Sequence, residues 1–390
     1  MRQERQIELL ARIANAGEGL HGLYGSSSMV SDAAMYVDPE RFAAEQQVLF
    51  REGPVFFGMS ADVREPGSWR AMRFDGVPIV VVRQADGSLR ALVNMCRHRG
   101  APLVDPVGHG TGLRSFSCPY HAWNYELDGA LRTRPAAQHA FDDVSMNCDL
   151  VSRPIVEKYG LIFVRPGGDE PIDIDAALGG AQDDLGAFGL DDYVLIDSRQ
   201  HDWDFNWKLL FDTFSETYHI RTLHRATLGG MFHSESVFEP FGRNLMLTGL
   251  RSDVSTEFNK PEDERSLLPY GTIQYFSVPT GMVVHQVDHV EVWNIEPLDV
   301  GRSRFTTSVY APAEPHSEGS REYFVKNLDL LLHVTGTEDF PLMEQVQRNL
   351  ASGALKHLVY GKIEPALAHF HNEVNKAVEG PSPAAASRTA

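Results

Sequence analysis

Two short segments decide the fold of this chain: Cys96-Arg97-His98 and Cys118-Pro119-Tyr120-His121. Each segment offers one thiolate and one imidazole, and nineteen residues separate the two. Two cysteines and two histidines can bind a [2Fe–2S] cluster, in which the thiolates ligate one iron and the neutral imidazoles ligate the other. Such a cluster has a higher reduction potential than an all-cysteine cluster. The pattern therefore predicts a chain that carries electrons.

Two other interpretations use the same residues. A structural zinc ion also binds two cysteines and two histidines, although the single residue between Cys96 and His98 is shorter than the usual zinc-finger spacing. A disulfide between Cys96 and Cys118 is the second alternative, and it would leave both histidines unexplained. The iron–sulfur interpretation accounts for all four residues, and the other two stay open at this point.

Composition narrows the classes of partner. The 390 residues carry 35 Lys+Arg against 53 Asp+Glu, a net charge of −18, which argues against a nucleic-acid or anionic-membrane partner. No apolar run approaches the roughly 18 residues that a membrane span needs, and no signal-peptide core is present, so we expect a cytoplasmic protein. No G-x-G-x-x-G loop follows a strand, so the sequence predicts that another protein delivers the electrons.

Turn signals and hydrophobic periodicity divide the chain into four predicted segments. They predict an α+β fold, with a small all-β cluster domain preceding a larger catalytic domain whose antiparallel sheet is flanked by helices. The segments are an N-terminal helical segment that packs on the catalytic domain (1–40), the cluster domain (41–165), the catalytic domain (166–380) and a disordered tail rich in Pro, Ala and Ser (381–390). Within the catalytic domain we expect strands over 270–310 and helices at 203–222, 322–333, 339–350 and 363–378.

A second set of metal-binding residues follows Trp207. Glu216 and His219 are three residues apart and share a face of the predicted helix. His224 is five residues beyond His219 and converges with it only if the helix loosens before Leu223. Two histidines and one distant carboxylate form the facial triad of non-haem Fe(II) oxygenases, which leaves positions open for O2 and substrate. The sequence thus predicts a mononuclear iron site.

The carboxylate of this triad has to come from elsewhere in the chain. The segment Thr337–Gln347 holds the candidates, and we predict Asp339 as the ligand with Glu344 as the alternative. Glu338 is interpreted as a residue that caps the N-terminus of the following helix, where a negative charge is favourable.

These motifs resemble the oxygenase α subunit of the Rieske non-haem iron, or aromatic-ring-hydroxylating, family over nearly the whole chain. The resemblance rests on CRH with GAPL at 100–103, CPYHAW at 118–123, NWK at 206–208, a carboxylate before YH and H, and the late ED followed by E and Q. It implies that the Rieske cluster is bound by Cys96, His98, Cys118 and His121, and the catalytic iron by His219, His224 and Asp339.

The resemblance also implies that Glu216 is the carboxylate that links the cluster of one subunit to the iron of its neighbour in a head-to-tail homotrimer. Three features depart from the family pattern. Glu216 stands where the family most often has Asp, Asp212 replaces an asparagine four residues earlier, and the spacing of nineteen is longer than usual. Asp212 is therefore a candidate supporting residue behind the iron ligands.

The function implied by the resemblance is that of the oxygenase component of a multicomponent enzyme. Electrons would come from NAD(P)H through a flavin reductase, a ferredoxin or both, with or without a small β subunit, and oxygen from O2 would enter an aromatic substrate by ring hydroxylation. The alternative is a monooxygenase or demethylase acting on an O-methyl, N-methyl or quaternary ammonium substrate, and a pure electron carrier is a third. An ammonium substrate would need an aromatic cage, for which the candidates are Phe211, Phe214, Tyr275, Phe276 and Trp293.

Overall fold

The computed structural model describes residues 1–135 and 138–379, so the predicted tail at 381–390 lies outside the described residues. The α-helices are α1 (Gln3–Asn15), α2 (Pro39–Glu45), α3 (Ile174–Leu178), α4 (Gln182–Gly186), α5 (Trp207–Phe214), α6 (Ile220–Leu223), α7 (Glu318–Val334), α8 (Phe340–Ala351) and α9 (Pro365–Glu379). In the described part of the chain, none of them is long and apolar enough to cross a bilayer.

The strands of the described residues fall into five antiparallel sheets. They are β1 (Met29–Asp32), β2 (Val55–Met59), β3 (Trp69–Phe74), β4 (Val77–Arg83), β5 (Leu89–Val93), β6 (His109–Gly110), β7 (Phe116–Ser117), β8 (Asn124–Tyr125), β9 (Leu131–Thr133), β10 (Ser152–Arg153), β11 (Ile155–Lys158), β12 (Leu161–Val164), β13 (Val194–Trp203), β14 (Phe232–Phe241), β15 (Asn244–Arg251), β16 (Gly271–Ser277), β17 (Gly281–His285), β18 (Val290–Asp299), β19 (Arg302–Ala311) and β20 (His357–Tyr360).

The chain forms two compact units, with boundaries that differ from the expected 41 and 165. One unit is Phe50–Ala177, and the other comprises Met1–Leu49 and the described residues from 178 to 379. The first boundary lies later because Glu45 of α2 is fully buried against Lys208 of α5, at 2.6 Å. Beyond the expected second boundary, Asp175 forms an ion pair with Lys158, at 2.7 Å.

The smaller unit is built around β4. Its three sheets have the orders β10-β5-β4-β3-β6, β11-β12-β2 and β7-β8-β9. Ile79 and Val81 pack in one apolar cluster, whereas Val80 and Val82 pack in another that also contains Cys96 and Cys118. Successive side chains of a strand point to opposite faces, so the continuous apolar run of β4 is buried on both sides. The second of these clusters supports the loops that carry the cysteines.

The larger unit contains a seven-stranded sheet of order β13-β19-β18-β17-β16-β15-β14. Helix α7 packs on one end of this sheet through Leu328, which lies in one apolar cluster with Ile196 and Val309. A π-helical segment, Thr335–Asp339, joins α7 to α8. The sheet and its helices confirm the predicted α+β class.

The predicted helix from Trp203 to Thr222 is wrong in its extent. Trp203 is the last residue of β13 and pairs with Ser303 of β19. Asn206 then caps α5, because its side chain accepts a hydrogen bond from the Lys208 amide at 3.0 Å. Helix α5 ends at Phe214, and α6 is a single turn.

Candidate active site

The two cluster-binding segments form loops with the same backbone hydrogen bonds. The Cys96 amide donates to the Ala101 carbonyl at 2.8 Å, and the Cys118 amide donates to the Trp123 carbonyl at 2.8 Å. In each loop the residue four positions after the cysteine donates back to the cysteine carbonyl. That residue has a positive φ in both loops, 77° at Gly100 and 56° at Ala122. The two segments are therefore local structural repeats of one another.

The side chains of these loops fit a [2Fe–2S] cluster. Cys96 and Cys118 are buried and free, which removes the disulfide alternative. The rings of His98 and His121 lie 4.6 Å apart, and Nδ1 of His98 is buried without a hydrogen-bond partner among the described residues. An orphaned buried nitrogen beside two free thiols is the donor set that a Rieske cluster uses.

Burial sets the protonation of these ligands before iron binds. Burial raises the pKa of the Cys96 thiol, whose sulfur lies 3.2 Å from the Tyr125 hydroxyl. Burial and the neighbouring His121 lower the pKa of His98. The neutral imidazole is the form that ligates iron, whereas each thiol has to release a proton on binding.

The structure brings His219, His224 and Asp339 together. One ligand atom of each lies within 4.8 Å of the others. Oδ1 of Asp339 is 3.6 Å from Nε2 of His219 and 3.3 Å from Nε2 of His224. This oxygen is buried without a hydrogen-bond partner in the described part of the chain. Two imidazole nitrogens facing an orphaned carboxylate oxygen fit a divalent iron ion.

Short local structure produces this convergence. His219 and His224 flank the single turn of α6, as its N-cap and C-cap residues. The π-helical segment Thr335–Asp339 places Asp339 at its end, where the residue is only 2 % exposed. π-helical turns are rare and are frequent at functional sites. The expected loosening before Leu223 is absent, because α6 is helical through Leu223, and the helix is instead broken before His219.

Two further carboxylates contact the Nδ1 atoms of His219 and His224, on the side of each ring away from Asp339. Glu216 contacts Nδ1 of His219 with one oxygen and accepts from the His219 amide with the other, at 3.1 Å. Oε2 of Glu338 lies 2.5 Å from Nδ1 of His224. Such contacts orient a ligand imidazole and fix its tautomer. Both histidines are therefore directed so that Nε2 points toward Asp339.

The role of Glu338 was missed at the sequence level, where it was interpreted as a helix cap. The sequence feature that could have indicated this role is the acidic pair Glu338-Asp339. In the structure both of these adjacent residues contact His224 from the π-helical turn. Glu344, the alternative ligand, instead accepts from the Asp204 amide at 3.3 Å.

Asp212 belongs to a different network from the one predicted. Its oxygens lie 2.5 Å from the Tyr36 hydroxyl and 2.7 Å from Nε2 of His371, which is fully buried. The Tyr36 hydroxyl also lies 2.7 Å from that of Tyr360. A carboxylate at this position therefore pairs with a buried histidine, and the residue that supports His224 is Glu338.

A cavity of about 390 Å³ opens beside the iron-binding candidates. Its apolar lining includes Phe214 and Trp293, whose ring centroids are 5.0 Å apart. The other three predicted cage residues lie elsewhere. Tyr275 is on the opposite face of β16 from the lining residue Gln274, and the remaining two, Phe211 and Phe276, pack on each other with centroids 5.7 Å apart.

One wall of the cavity is polar. Gln274, Val284 and Glu291 are paired in register across β16, β17 and β18, so their side chains share a face. Glu291 is 3 % exposed and Gln274 is 8 % exposed. Oε1 of Gln274 has no hydrogen-bond partner among the described residues. The cavity therefore offers buried acceptors as well as aromatic surface.

The α+β chain has two kinds of site. One consists of paired loops that each carry one cysteine and one histidine, and the other of two histidines and a carboxylate beside a cavity. Together they define the class of Rieske-type oxygenases. Comparison with known families identifies the chain more closely. Residues 54–156 match the Rieske [2Fe-2S] domain, and residues 190–380 match the ring hydroxylating alpha subunit (catalytic domain). The chain belongs to the Rieske non-haem iron oxygenase family, as an α subunit.

Membership defines the general chemistry. The protein is an oxidoreductase that uses O2 and takes reducing equivalents from a partner. Its cofactors are a Rieske [2Fe–2S] cluster and a mononuclear iron, which settles the choice against zinc.

Individual proteins are similar to this chain at low identity. The glycine betaine monooxygenase oxygenase subunit of Chromohalobacter salexigens is 26 % identical over 84 % of this chain and 80 % of its own length. Putrescine 2-hydroxylase of Ralstonia nicotianae is 27 % identical, covering 72 % and 75 %.

Solved structures share the fold. A quaternary ammonium Rieske monooxygenase with L-carnitine bound has a TM-score of 0.74 at 20 % identity, covering 89 % of this chain and 94 % of its own. Naphthalene 1,2-dioxygenase with indole bound has a TM-score of 0.73 at 19 % identity, covering 93 % and 95 %. At these identities the two structures support the fold, and the choice of substrate depends on the site.

Proposed function

We propose that this chain is the oxygenase component of a Rieske monooxygenase whose substrate carries a cationic nitrogen. The reaction hydroxylates a C–H bond next to that nitrogen. If the carbon is a methyl group, one oxygen atom of O2 enters the C–H bond, the other leaves as water with two electrons and two protons, and the hydroxymethyl product releases formaldehyde. This was the alternative to ring hydroxylation at the sequence level.

The polar wall of the cavity is the observation that carries the proposal. An aromatic hydrocarbon would leave Oε1 of Gln274 without a partner and would give Glu291 none beyond its long contacts to Gln286 and His289. An unpaired buried polar group costs about 1–3 kcal/mol. A cation beside Glu291 and the Trp293 ring would satisfy both the carboxylate and the aromatic face. The relatives named for glycine betaine and putrescine support a substrate that carries nitrogen.

The proposed ligands divide into the two sets predicted from the sequence. Cys96, His98, Cys118 and His121 hold the cluster, and His219, His224 and Asp339 hold the iron. When bound, the cluster supplies single electrons and the ferrous iron supplies open positions for O2. The chain itself contributes orientation: Glu216 and Glu338 keep the Nδ1 atoms of the histidines occupied, so that the Nε2 atoms face the iron position.

The proposed partners are a reductase, with or without a ferredoxin, and two further copies of this chain in a homotrimer. Glu216 is the proposed electron-transfer bridge between subunits, because its carboxylate already contacts His219 on the side away from Asp339. A solved structure similar to this chain is that of a quaternary ammonium Rieske monooxygenase, and it is described as informative on inter-subunit electron transfer in that enzyme. Light scattering of the purified protein tests the trimer.

A substrate panel tests the proposed function. Holoenzyme, a surrogate reductase and NADH are combined with choline, glycine betaine, carnitine, naphthalene or benzoate, and oxygen uptake is measured together with product. We expect a cationic substrate to be oxidised, with formaldehyde released in proportion to O2 if a methyl group is the target. A His219→Ala variant should abolish product. Oxidation of naphthalene or benzoate without oxidation of any cation would contradict the proposal.

A further inference from the structure

The carboxylate of Glu291 is buried in the cavity wall with weak support. Its oxygens lie 3.3 Å from Nε2 of Gln286 and 3.4 Å from Nε2 of His289. Both distances exceed the roughly 2.7–3.2 Å typical of N–H···O hydrogen bonds. A buried carboxylate is normally paired or strongly hydrogen-bonded, because its desolvation is costly. Among the described residues, Glu291 therefore has only His289 as a counter-charge, at 3.4 Å, and shares that imidazole with Asp288.

The neighbouring charges leave this end of the cavity negative. His289 lies between two carboxylates, since its Nδ1 is 2.8 Å from Oδ1 of Asp288 while its Nε2 faces Glu291. One imidazolium between two carboxylates leaves a net charge of minus one, and a neutral imidazole leaves minus two. Arg251 also lines the cavity, but its guanidinium is directed to Asp253 at 3.3 Å. The excess negative charge is available to a ligand.

Two other side chains on the same face point to a ligand at this position. Gln274, in the same cross-strand row as Glu291, has an orphaned Oε1 among the described residues while its side chain is more than nine-tenths buried. Trp293 is two residues beyond Glu291 on β18, so it shares the face, and its ring lines the cavity. Trp offers the strongest aromatic surface for a cation. An acceptor, a carboxylate and an indole thus converge on one part of the cavity.

We propose that Glu291 is the counter-charge that selects the cationic group of the substrate. This inference rests on the proposed function and adds the residue that gives it charge specificity. A cation in the cavity pairs with Glu291 in surroundings of low dielectric constant, where the attraction is stronger than in water. A neutral ligand of the same shape leaves the carboxylate with only its long contacts to Gln286 and His289, so the protein discriminates by charge and not by size.

Binding of matched ligands tests this without turnover. The probes are choline, glycine betaine and carnitine, each paired with the neutral-headed isostere in which tert-butyl replaces trimethylammonium. Calorimetry on anaerobic holoenzyme gives Kd for each pair. We expect the cation to bind at least about tenfold more tightly than its isostere, which corresponds to ~1.4 kcal/mol. In Glu291→Gln that preference should fall to less than about twofold, with isostere binding unchanged.

A matched control variant lies on the same strand. Glu296 is also buried on β18, but five residues on and therefore on the opposite face, where it lies 3.7 Å from Arg304. Glu296→Gln should keep the full preference for the cation. Iron content and cluster absorbance of all three proteins establish that the variants fold and load.

The outcomes separate this inference from the proposed function. A wild-type protein that binds no cation, or shows no preference for the cation, overturns the inference, as does a Glu291→Gln protein that keeps the preference. Cation binding that depends on Glu291 without oxidation of the ligand supports the inference and counts against the proposed function. If formaldehyde is released and Glu291→Gln leaves the KM for the cation unchanged, the proposed function is supported and the inference is overturned.

Discussion

Glu338 and Asp339 are consecutive residues that contact opposite nitrogens of one imidazole. Oε2 of Glu338 lies 2.5 Å from Nδ1 of His224, and Oδ1 of Asp339 lies 3.3 Å from Nε2. The π-helical turn at Thr335–Asp339 makes this arrangement available to neighbouring residues. One carboxylate is thus placed to bind iron and the other to hold the ring that binds it.

Removing Glu338 should weaken iron binding without affecting the cluster. Loss of a carboxylate that supports a ligand histidine typically lowers metal affinity by about 10–100-fold. We expect Glu338→Ala to release its mononuclear iron to a competing chelator at correspondingly lower chelator concentration, while cluster absorbance stays the same. Glu344→Ala is the control, because Glu344 contacts the Asp204 amide and not a ligand. Equal iron retention by the two variants would show that Glu338 has no supporting role.

The two cluster-binding loops share a backbone conformation, so we expect Gly100→Ala and Ala122→Gly to have opposite effects on thermal stability. Gly100→Ala places a Cβ at φ 77°, where the nearest heavy atom is a Met95 methyl at 3.7 Å, so the cost is conformational and about 1–2 kcal/mol. Ala122→Gly relieves the same conformation at φ 56°. Thermal loss of cluster absorbance should shift down for the first variant and stay level or shift up for the second. A drop of equal size in both would refute the equivalence of the loops.

The buried ion pair Lys208–Glu45 should be costly to break. Both side chains are fully buried and 2.6 Å apart. Lys208→Met removes one of two cations from the buried Glu45 carboxylate, which keeps Arg41 at 2.9 Å. We therefore expect a loss in the free energy of unfolding of the larger unit that is smaller than the ~3–5 kcal/mol of a fully unpaired buried charge but larger than for an exposed pair. Lys326→Met is the control, since Lys326 and Glu322 are mostly exposed and such pairs contribute about 0–1 kcal/mol. Chemical denaturation followed by tryptophan fluorescence measures both.

Acid sensitivity of the smaller unit should depend on Glu157. Burial by itself would raise the pKa of this carboxyl group, but two 2.7 Å bonds from Arg83 outweigh burial and lower the pKa below its usual 4.5. A carboxyl group with a lowered pKa in the folded state contributes stability that is complete above about pH 4.5 and is lost as pH falls through the lower folded value. Glu157→Gln should therefore be less stable at neutral pH and should lose less stability on acidification.

Apparent melting temperatures at neutral and acid pH, read from cluster absorbance, test this dependence. Glu126→Gln serves as the control, because the Glu126–Arg132 pair is exposed and 3.4 Å apart. If Glu157→Gln and wild type lose stability in parallel below about pH 4.5, the Arg83 pair does not contribute in this way.

The sequence contained the proposed ligands but not all of the local structure that positions them. Cys96, His98, Cys118 and His121 could be predicted as cluster ligands because cluster chemistry requires those residue types at close spacing. The break in the helix between Phe214 and Ile220 could not be predicted, since apolar residues continue at helical spacing and only the tertiary fold shows where the helix ends. Glu338 and Glu291 were missed because an acidic residue near a helix start or in a strand has ordinary explanations. Burial distinguished Glu291, and the contact with His224 distinguished Glu338.

The most direct test of two separate iron centres is the iron and acid-labile sulfide content of the wild-type protein and of Asp339→Ala. We expect about three irons and two sulfides per wild-type chain, and about two irons and two sulfides in the variant, with the reduced-cluster EPR signal intact. A wild-type protein with two irons, or a variant that keeps three, would contradict the assignment of a mononuclear iron to His219, His224 and Asp339.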